Sequence, residues 1–120
     1  MREYVLCVRA MLRSFQDPGS PEYFEGEHYR FTMIPPFFNP GPIAHPDIPI
    51  HVAAVNPYMA RLAGEICDGL RLHPVATFAY TRDVLLPAIA AGAAKSGRDA
   101  SACELIGAPF LALGRDEEEL

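Results

Sequence analysis

Apolar residues recur at helical spacing over the first sixteen positions of the chain. In MREYVLCVRAMLRSFQ they stand at Tyr4, Val5, Val8, Met11, Leu12 and Phe15, which is the period of one helix face. The turn-forming segment Asp17-Pro18-Gly19-Ser20 then ends the pattern. The pattern predicts a helix over residues 1–16, with no capping residue before it.

Residues 21–47 have no sustained period and form an excursion. YFEGEHYRFTMI predicts a short hairpin that turns near Glu25-Gly26 and exposes His28. PPFFNPGPIAHPD is rich in proline, so we expect a long ordered loop, of the kind that is often functional. Phe37 and Phe38 are expected to anchor this loop, against a barrel face or by hydrophobic contact alone.

The segment IPIHVAAV (48–55) is short, apolar and β-branched, which predicts a parallel strand buried on both faces. Asn56 can cap a helix and Pro57 suits its first position. The helix that follows carries its apolar face at Met59, Leu62, Ala63, Ile66 and Cys67. Gly69 is expected to end it in a left-handed conformation.

Strands and helices continue to alternate toward the carboxyl end. LRLH (70–73) predicts a second strand, and ELIGAPFLALG (104–114) predicts a third. Between them Thr81 is expected to cap the helix RDVLLPAIAAGAAKS, which Pro87 should kink and Gly97 should end. RDEEEL (115–120) predicts the first turn of a further helix.

This alternation indicates parallel βαβ units with right-handed crossovers. Three strands cannot close a barrel, and both ends of the sequence interrupt the repeating pattern. We therefore expect an α/β fold that is a segment of a larger (β/α)8 TIM barrel, which typically needs about 250 residues.

Composition narrows the function class. The 120 residues carry a net charge of −5 without a basic run, which argues against binding to nucleic acid. No apolar stretch is long enough for a membrane span, and no secretory signal is visible. Three widely spaced cysteines without a CxxC pair predict reduced thiols in a cytoplasmic protein.

Candidate chemistry lies where the predicted strands end, because barrel active sites occupy those loops. At Ala53, Ala54, Val55 and Asn56, small side chains and a helix N-terminus suit a phosphate or another anion. His73 and Pro74 follow the next strand, where the histidine either contacts a cofactor or only hydrogen-bonds a loop. His45, His51, Asp47 and His73 form a weak metal pattern, and we predict no metal site.

The stretch GEHYRFTMIPPFFNPGPIAHPDIPIHVAAVNPYMARLAGEICDGLRLHP resembles the middle of the luciferase-like monooxygenase superfamily, of the F420-dependent oxidoreductase type. The helix LPAIAAGAAKSGR fits the same pattern, so the resemblance covers essentially the whole chain as one partial domain, 1–120. It implies a (β/α)8 barrel segment from the fourth helix through the seventh strand.

The resemblance also implies a cofactor and its site. Backbone amides of Ala54, Val55 and Asn56 would bind the phosphate of F420 or, alternatively, FMN, although Val55-Asn56 departs from the family's usual glycine-containing pair. His73 and Pro74 would lie near the cofactor or an organic substrate. The implied reaction is hydride transfer or monooxygenation, and the catalytic residues are not identified.

Two other interpretations remain open. The chain could be a truncated, catalytically inert fragment, or a small binding domain whose strand edges are covered in a homodimer, with PPFFNP as the contact.

Overall fold

The computed structural model describes residues 1–111 and 113–114, and the chain divides into two compact units, Met1–Ile50 and His51–Leu120. The first unit opens with helix α1 (Arg2–Gln16), which confirms the predicted helix. Its buried residues are Val5, Ala10 and Ser14. No side chain caps its first turn, as expected from the lack of a capping residue.

The predicted hairpin is present in the first unit. Strands β1 (Phe24–Glu25) and β2 (Arg30–Phe31) pair antiparallel, with Phe24 opposite Phe31. The side chain of Glu3 on α1 accepts three backbone N–H groups in the turn. The carboxylate thereby satisfies donors that the turn itself leaves unpaired.

The proline-rich loop contains one short 3-10 turn, Pro36–Phe38. The rings of Phe37 and Phe38 contact each other edge to face at 5.3 Å, yet they are 90% and 69% exposed. The prediction that these two rings anchor the loop by hydrophobic contact is therefore wrong in the described part of the chain. Two prolines and a single turn hold the rings against each other, away from the buried residues.

In the second unit, three parallel strands form a sheet in the order β3-β4-β5. They are β3 (His51–Ala53), β4 (Gly69–Arg71) and β5 (Glu104–Ile106). The parallel arrangement confirms the prediction, but each strand is shorter than predicted. Beyond the strands, Leu72 N–H still donates to Ile106 O, and Pro74, two residues later, has no N–H group for a further bond to this neighbour.

Burial of β3 on both faces was an incorrect prediction. His51 and Val52 are half-buried and Ala53 is exposed. Ala53 shares its sheet face with its pairing partner Arg71, which is also exposed, so this face is not covered by the described residues. On the other face Leu70 of the central strand is completely buried.

Helix α2 (Pro57–Ile66) begins as its sequence predicts. The Asn56 side chain accepts the N–H of Met59 at 2.9 Å, and Pro57 occupies the first turn. Gly69, however, does not end the helix, which stops at Ile66. Gly69 begins β4, where a Cβ would lie 2.8 Å from the ring of His51. The His51 ring lies over this glycine, which leaves room for it, and Gly69 does not adopt a left-handed conformation.

The second helical segment starts earlier than predicted. Thr77, rather than Thr81, is its cap, and its hydroxyl accepts the N–H of Tyr80 at 3.2 Å. The segment comprises α3 (Phe78–Tyr80), a π-helical turn (Thr81–Leu85) and α4 (Leu86–Lys95). The wide turn lies directly before Pro87, which cannot donate the hydrogen bond of a regular helix.

The end of α4 confirms the role predicted for Gly97, whose φ is +67°. The N–H of Gly97 donates to Ala94 O and that of Arg98 donates to Ala93 O. This pair of bonds is the Schellman arrangement of a helix end.

Helices α2 and α4 pack closely through two glycines. A Cβ at Gly64 would collide with the carbonyl of Ile89, and one at Gly92 with the carbonyl of Arg61. Beside this contact Lys95 Nζ lies 3.1 Å from Glu65 Oε1, and the Glu65 side chain is almost fully buried. Helix α2 contacts β3 and β4, and α4 packs against α2.

The third predicted strand (104–114) ends at Ile106 in the structure. The predicted helix start at 115–120 lies outside the described residues. Cys67 and Cys103 are buried and Cys7 is half-buried, all as free thiols, and burial raises the pKa of Cys103. Within residues 1–111 and 113–114, no helix has the length and apolar character of a membrane span.

Candidate functional site

The carboxyl ends of β3 and β4 border two adjoining cavities in the second unit. One has a volume of about 270 Å³ and the other of about 430 Å³. Both are lined by Ala54, Val55 and His73. Tyr80 closes one side of the smaller cavity, and Arg71 lines the larger one. The loops that follow two neighbouring parallel strands therefore share one concave surface.

Several backbone N–H groups between β3 and the first turn of α2 have no partner in the described part of the chain. The N–H of Ala54 donates to Arg71 O at 3.3 Å and so belongs to the sheet. Among the described residues, the N–H groups of Val55, Asn56 and Tyr58 have no hydrogen-bond acceptor. Three unsatisfied donors near a helix N-terminus provide the chemistry for binding an anion.

The side-chain oxygen of Asn56 stabilises this helix start as an acceptor. This Oδ1 accepts the N–H of Met59, and the backbone oxygen of Asn56 accepts that of Ala60. The side chain of Asn56 is therefore a helix cap, and a ligand would meet its backbone N–H.

Tyr80 ties this loop to the helix that follows β4. Its hydroxyl donates to Val55 O at 2.9 Å. The peptide between Val55 and Asn56 is trans, so its carbonyl and N–H point in opposite directions. By holding the carbonyl toward itself, Tyr80 fixes the direction in which the Asn56 N–H points.

His73 forms a tight turn at the end of β4. Its Nδ1 accepts the N–H of Val75 at 3.3 Å, and its backbone oxygen accepts that of Ala76. Because Nδ1 is an acceptor, the neutral ring carries its proton on Nε2. His73 thus hydrogen-bonds its own loop and also has a donor nitrogen for a ligand in the cavity.

Arg71 lies on the sheet face that the helices leave open. The His51 ring lies over Gly69, and its Nε2 is 3.9 Å from Glu104 Oε2, so these three residues share one face. Side chains two positions apart in a strand also share a face. Ala53 and Arg71 therefore belong to it, at the carboxyl end of their strands.

The structure brings five of the six predicted site residues to these cavities, namely Ala53, Ala54, Val55, His73 and Pro74. Asn56 adjoins them as the cap of α2. Sequence reasoning missed Arg71 and Tyr80. Arg71 could not be singled out, because the sequence does not show which face of its strand borders the cavity. Tyr80 could be found only after the helix start at Phe78 was known.

For the metal pattern, the described residues contain no group of three or more His, Cys, Asp or Glu side chains placed to hold an ion. His51 is at the opposite end of the sheet from His73, beside Glu104.

Comparison with known proteins gives a family match along the chain. The family model described as luciferase-like monooxygenase matches residues 1–120. An uncharacterized protein of Mycobacterium tuberculosis is 39% identical over 120 residues, which are 100% of this chain and 35% of that protein. The chain thus spans about a third of the length of this relative.

Two relatives with named activities are more distant. The F420-dependent glucose-6-phosphate dehydrogenase of Nocardia farcinica is 34% identical over 98 residues, 82% of this chain and 26% of that enzyme. The 5,10-methylenetetrahydromethanopterin reductase of Archaeoglobus fulgidus is 28% identical over 119 residues, 99% of this chain and 32% of that enzyme. With the family match over residues 1–120, the chain belongs to the luciferase-like monooxygenase family.

Proposed function

We propose that the protein is an F420-dependent oxidoreductase that transfers a hydride between this cofactor and a small organic substrate. The observation that carries the proposal is the family match over residues 1–120, together with a relative that is named as F420-dependent. Bound at this site, F420 would supply or accept the hydride, and the protein would orient it.

The unpaired donors of the β3–α2 loop fit the phosphate arm of the cofactor. The N–H groups of Val55, Asn56 and Tyr58 have no acceptor among the described residues, and a phosphate has the oxygens to occupy them. The small side chains of Ala53 and Ala54 let a ligand approach the backbone closely. Since the Ala54 N–H is bonded within the sheet, we assign Ala54 this steric role only.

His73 and Pro74 border the same cavity and are proposed to contact the cofactor or the substrate. The Nε2–H of His73 can donate to an oxygen or nitrogen of a bound molecule. The helix after β4 completes the wall through Tyr80 and Leu85.

We further propose that the chain forms part of a (β/α)8 barrel. Helix α1 would be its fourth helix, and β3, β4 and β5 would be its fifth, sixth and seventh strands. The parallel order β3-β4-β5 with intervening helices supports this placement. The exposed sheet face would then face the barrel interior.

A second candidate is monooxygenation with FMN as the cofactor; the description of the family names monooxygenation. FMN also carries a phosphate, so the loop donors suit both cofactors.

Cofactor titration tests the proposal. The full-length protein is titrated with F420 and, separately, with FMN, while cofactor fluorescence is followed. We expect saturable binding of F420 that is tighter than binding of FMN. Tighter binding of FMN than of F420 would replace the proposal by its second candidate. Failure to bind either cofactor would favour an inert fragment or a small binding domain.

A matched pair of variants places the binding at the site. Ala53 lines the larger cavity and Ala91 is an exposed residue of α4. Ala53→Leu should weaken cofactor binding by obstructing the approach to the loop, whereas Ala91→Leu should bind as the unchanged protein does. Equal affinity for both variants would place the cofactor elsewhere.

A further inference from the structure

We propose that Arg71 binds an oxyanion, a phosphate or carboxylate group of a ligand, at the carboxyl end of β4. The inference deepens the proposed function and rests on it for the identity of the ligand. It assigns the site a cationic residue in addition to the backbone donors of the β3–α2 loop.

The position of Arg71 in the sheet places its side chain on the same side as the cavity. Arg71 is the last residue of the central strand β4, and its side chain is on the open sheet face with that of Ala53. On the opposite face Leu70 is completely buried. Because side chains alternate along a strand, the guanidinium of Arg71 is directed to the open face, where the cavity lies at the ends of the strands.

The second step is the absence of a counter-charge. Among the described residues no carboxylate lies within 4.0 Å of Arg71, although ion pairs of that length occur elsewhere in the chain. Arg71 pairs with Ile106 on the neighbouring strand. Glu104, two positions before Ile106, is the acid of that strand, and its carboxylate is directed to His51. The guanidinium thus retains its five N–H donors.

The third step is convergence with other donors. Arg71 lines the cavity of about 430 Å³ together with Val55 and His73. Val55 has an unpaired backbone N–H and His73 a protonated Nε2, so donors from two loops and one strand border the same space. A guanidinium matches carboxylate and phosphate oxygens in a bidentate arrangement. An anionic group is the ligand that satisfies all of these donors.

The anion could be the phosphate arm of the cofactor or a charged group of the substrate, and two binding measurements distinguish the sources. The full-length protein is compared with Arg71→Gln, Arg71→Lys and the control Arg61→Gln. Arg61 is an exposed arginine on α2. The first measurement is the Kd for F420, and the second is the Kd for inorganic phosphate, determined without cofactor and with F420 at saturation.

We expect Arg71→Gln to weaken one of these affinities by about tenfold or more, as for a lost charged hydrogen bond. Arg71→Lys should lose less, because the charge is retained without the planar fork. A change in F420 affinity identifies the cofactor's phosphate. A change confined to phosphate binding in the presence of F420 identifies the substrate's anion.

Equal affinities of Arg71→Gln and Arg61→Gln for both probes would overturn the inference. If the unchanged protein bound no F420, the proposed function would fail, while phosphate binding without cofactor would still test Arg71. A drop in the urea midpoint of Arg71→Gln with unaltered affinities would assign Arg71 a structural role and also overturn the inference.

Discussion

At the scale of single residues, Glu3 shows how one carboxylate holds a segment distant in sequence. It accepts the N–H groups of His28, Glu27 and Tyr29 at 2.7–3.1 Å. The hydrogen bond from His28 contributes most to lowering the pKa of Glu3, and those from Glu27 and Tyr29 add to it. The hairpin turn is therefore attached to α1 through a charge.

This attachment predicts a pH dependence. Because the pKa of Glu3 is lowered in the folded chain, its stabilising contribution is complete above the ordinary pKa of a glutamate. It is lost as the pH falls through the lowered folded value. We expect the amide protons of residues 27–29 to exchange faster at acidic pH, after correction for intrinsic rates.

In the variant Glu3→Gln, the amide protons of residues 27–29 should exchange faster at neutral pH also, because the neutral side-chain amide of glutamine is a weaker acceptor than a carboxylate. Glu27→Gln is the control, because its exposed side chain has no partner in the part of the chain that is described. Identical protection in Glu3→Gln and the unchanged protein would contradict the role of the carboxylate. Hydrogen exchange followed by NMR resolves the three amides individually.

Residue by residue, the local signals in the sequence were sufficient where the structure is determined locally. Asn56-Pro57 predicted a capped helix, and Gly97 predicted a left-handed helix end, because these geometries involve only neighbours in sequence. The role of Gly69 was predicted incorrectly, because a glycine is needed there to leave room for the ring of His51, which lies on another strand. No pattern in the sequence alone reports such a contact.

At the scale of elements, the contact between α2 and α4 depends on two glycines. Gly64→Ala should destabilise the protein by roughly 1–3 kcal/mol, because the new methyl group would meet the Ile89 carbonyl, which is main chain and cannot rotate away. The measurement is the urea midpoint of unfolding.

Gly107→Ala is the matched control. A Cβ at Gly107 would meet no atom of the described residues within 4 Å, and the φ of Gly107 is not positive. The urea midpoint of Gly107→Ala should therefore remain near that of the unchanged protein. Comparable midpoints for Gly64→Ala and Gly107→Ala would show that the helices do not approach as closely as described.

The hydrogen bond from Tyr80 connects two elements of the site. Removing the hydroxyl in Tyr80→Phe would release the Val55 carbonyl, and with it the direction of the Asn56 N–H. We expect the Kd for F420 to rise roughly 2- to 10-fold, the effect of one neutral hydrogen bond. Since the ring remains, the fold should be unaffected.

Tyr23→Phe serves as the control for Tyr80→Phe, because the Tyr23 hydroxyl has no hydrogen-bond partner among the described residues. The two variants should have equal urea midpoints and differ in cofactor affinity. Equal affinities would mean that the loop keeps its conformation without Tyr80.

The boundaries of elements were the part of the fold that sequence reasoning predicted least well. The helix after β4 starts at Phe78, which is 78% exposed, so no apolar period marked its first turn. Strand ends depend on pairing, and each three-residue strand ends where its neighbour in the sheet ends. Apolar residues beyond those limits therefore did not extend the strands.

At the scale of the whole molecule, sequence alternation correctly predicted a parallel sheet with helices between its strands. The sheet order β3-β4-β5 follows the chain order, as in successive units of an α/β fold. Candidate binding groups consequently meet at the carboxyl ends of adjacent strands. The sequence located the junctions after β3 and β4, while Arg71 and Tyr80 required the three-dimensional arrangement.

The central claim is that the loop from β3 to α2 binds the phosphate of F420 through its backbone. NMR of the isotope-labelled full-length protein, recorded before and after addition of F420, tests it most directly. The amide signals of Val55, Asn56 and Tyr58 should shift strongly, while that of Ala54, already bonded to Arg71 O, should shift less. Saturating F420 that leaves these three amides unchanged would contradict the claim.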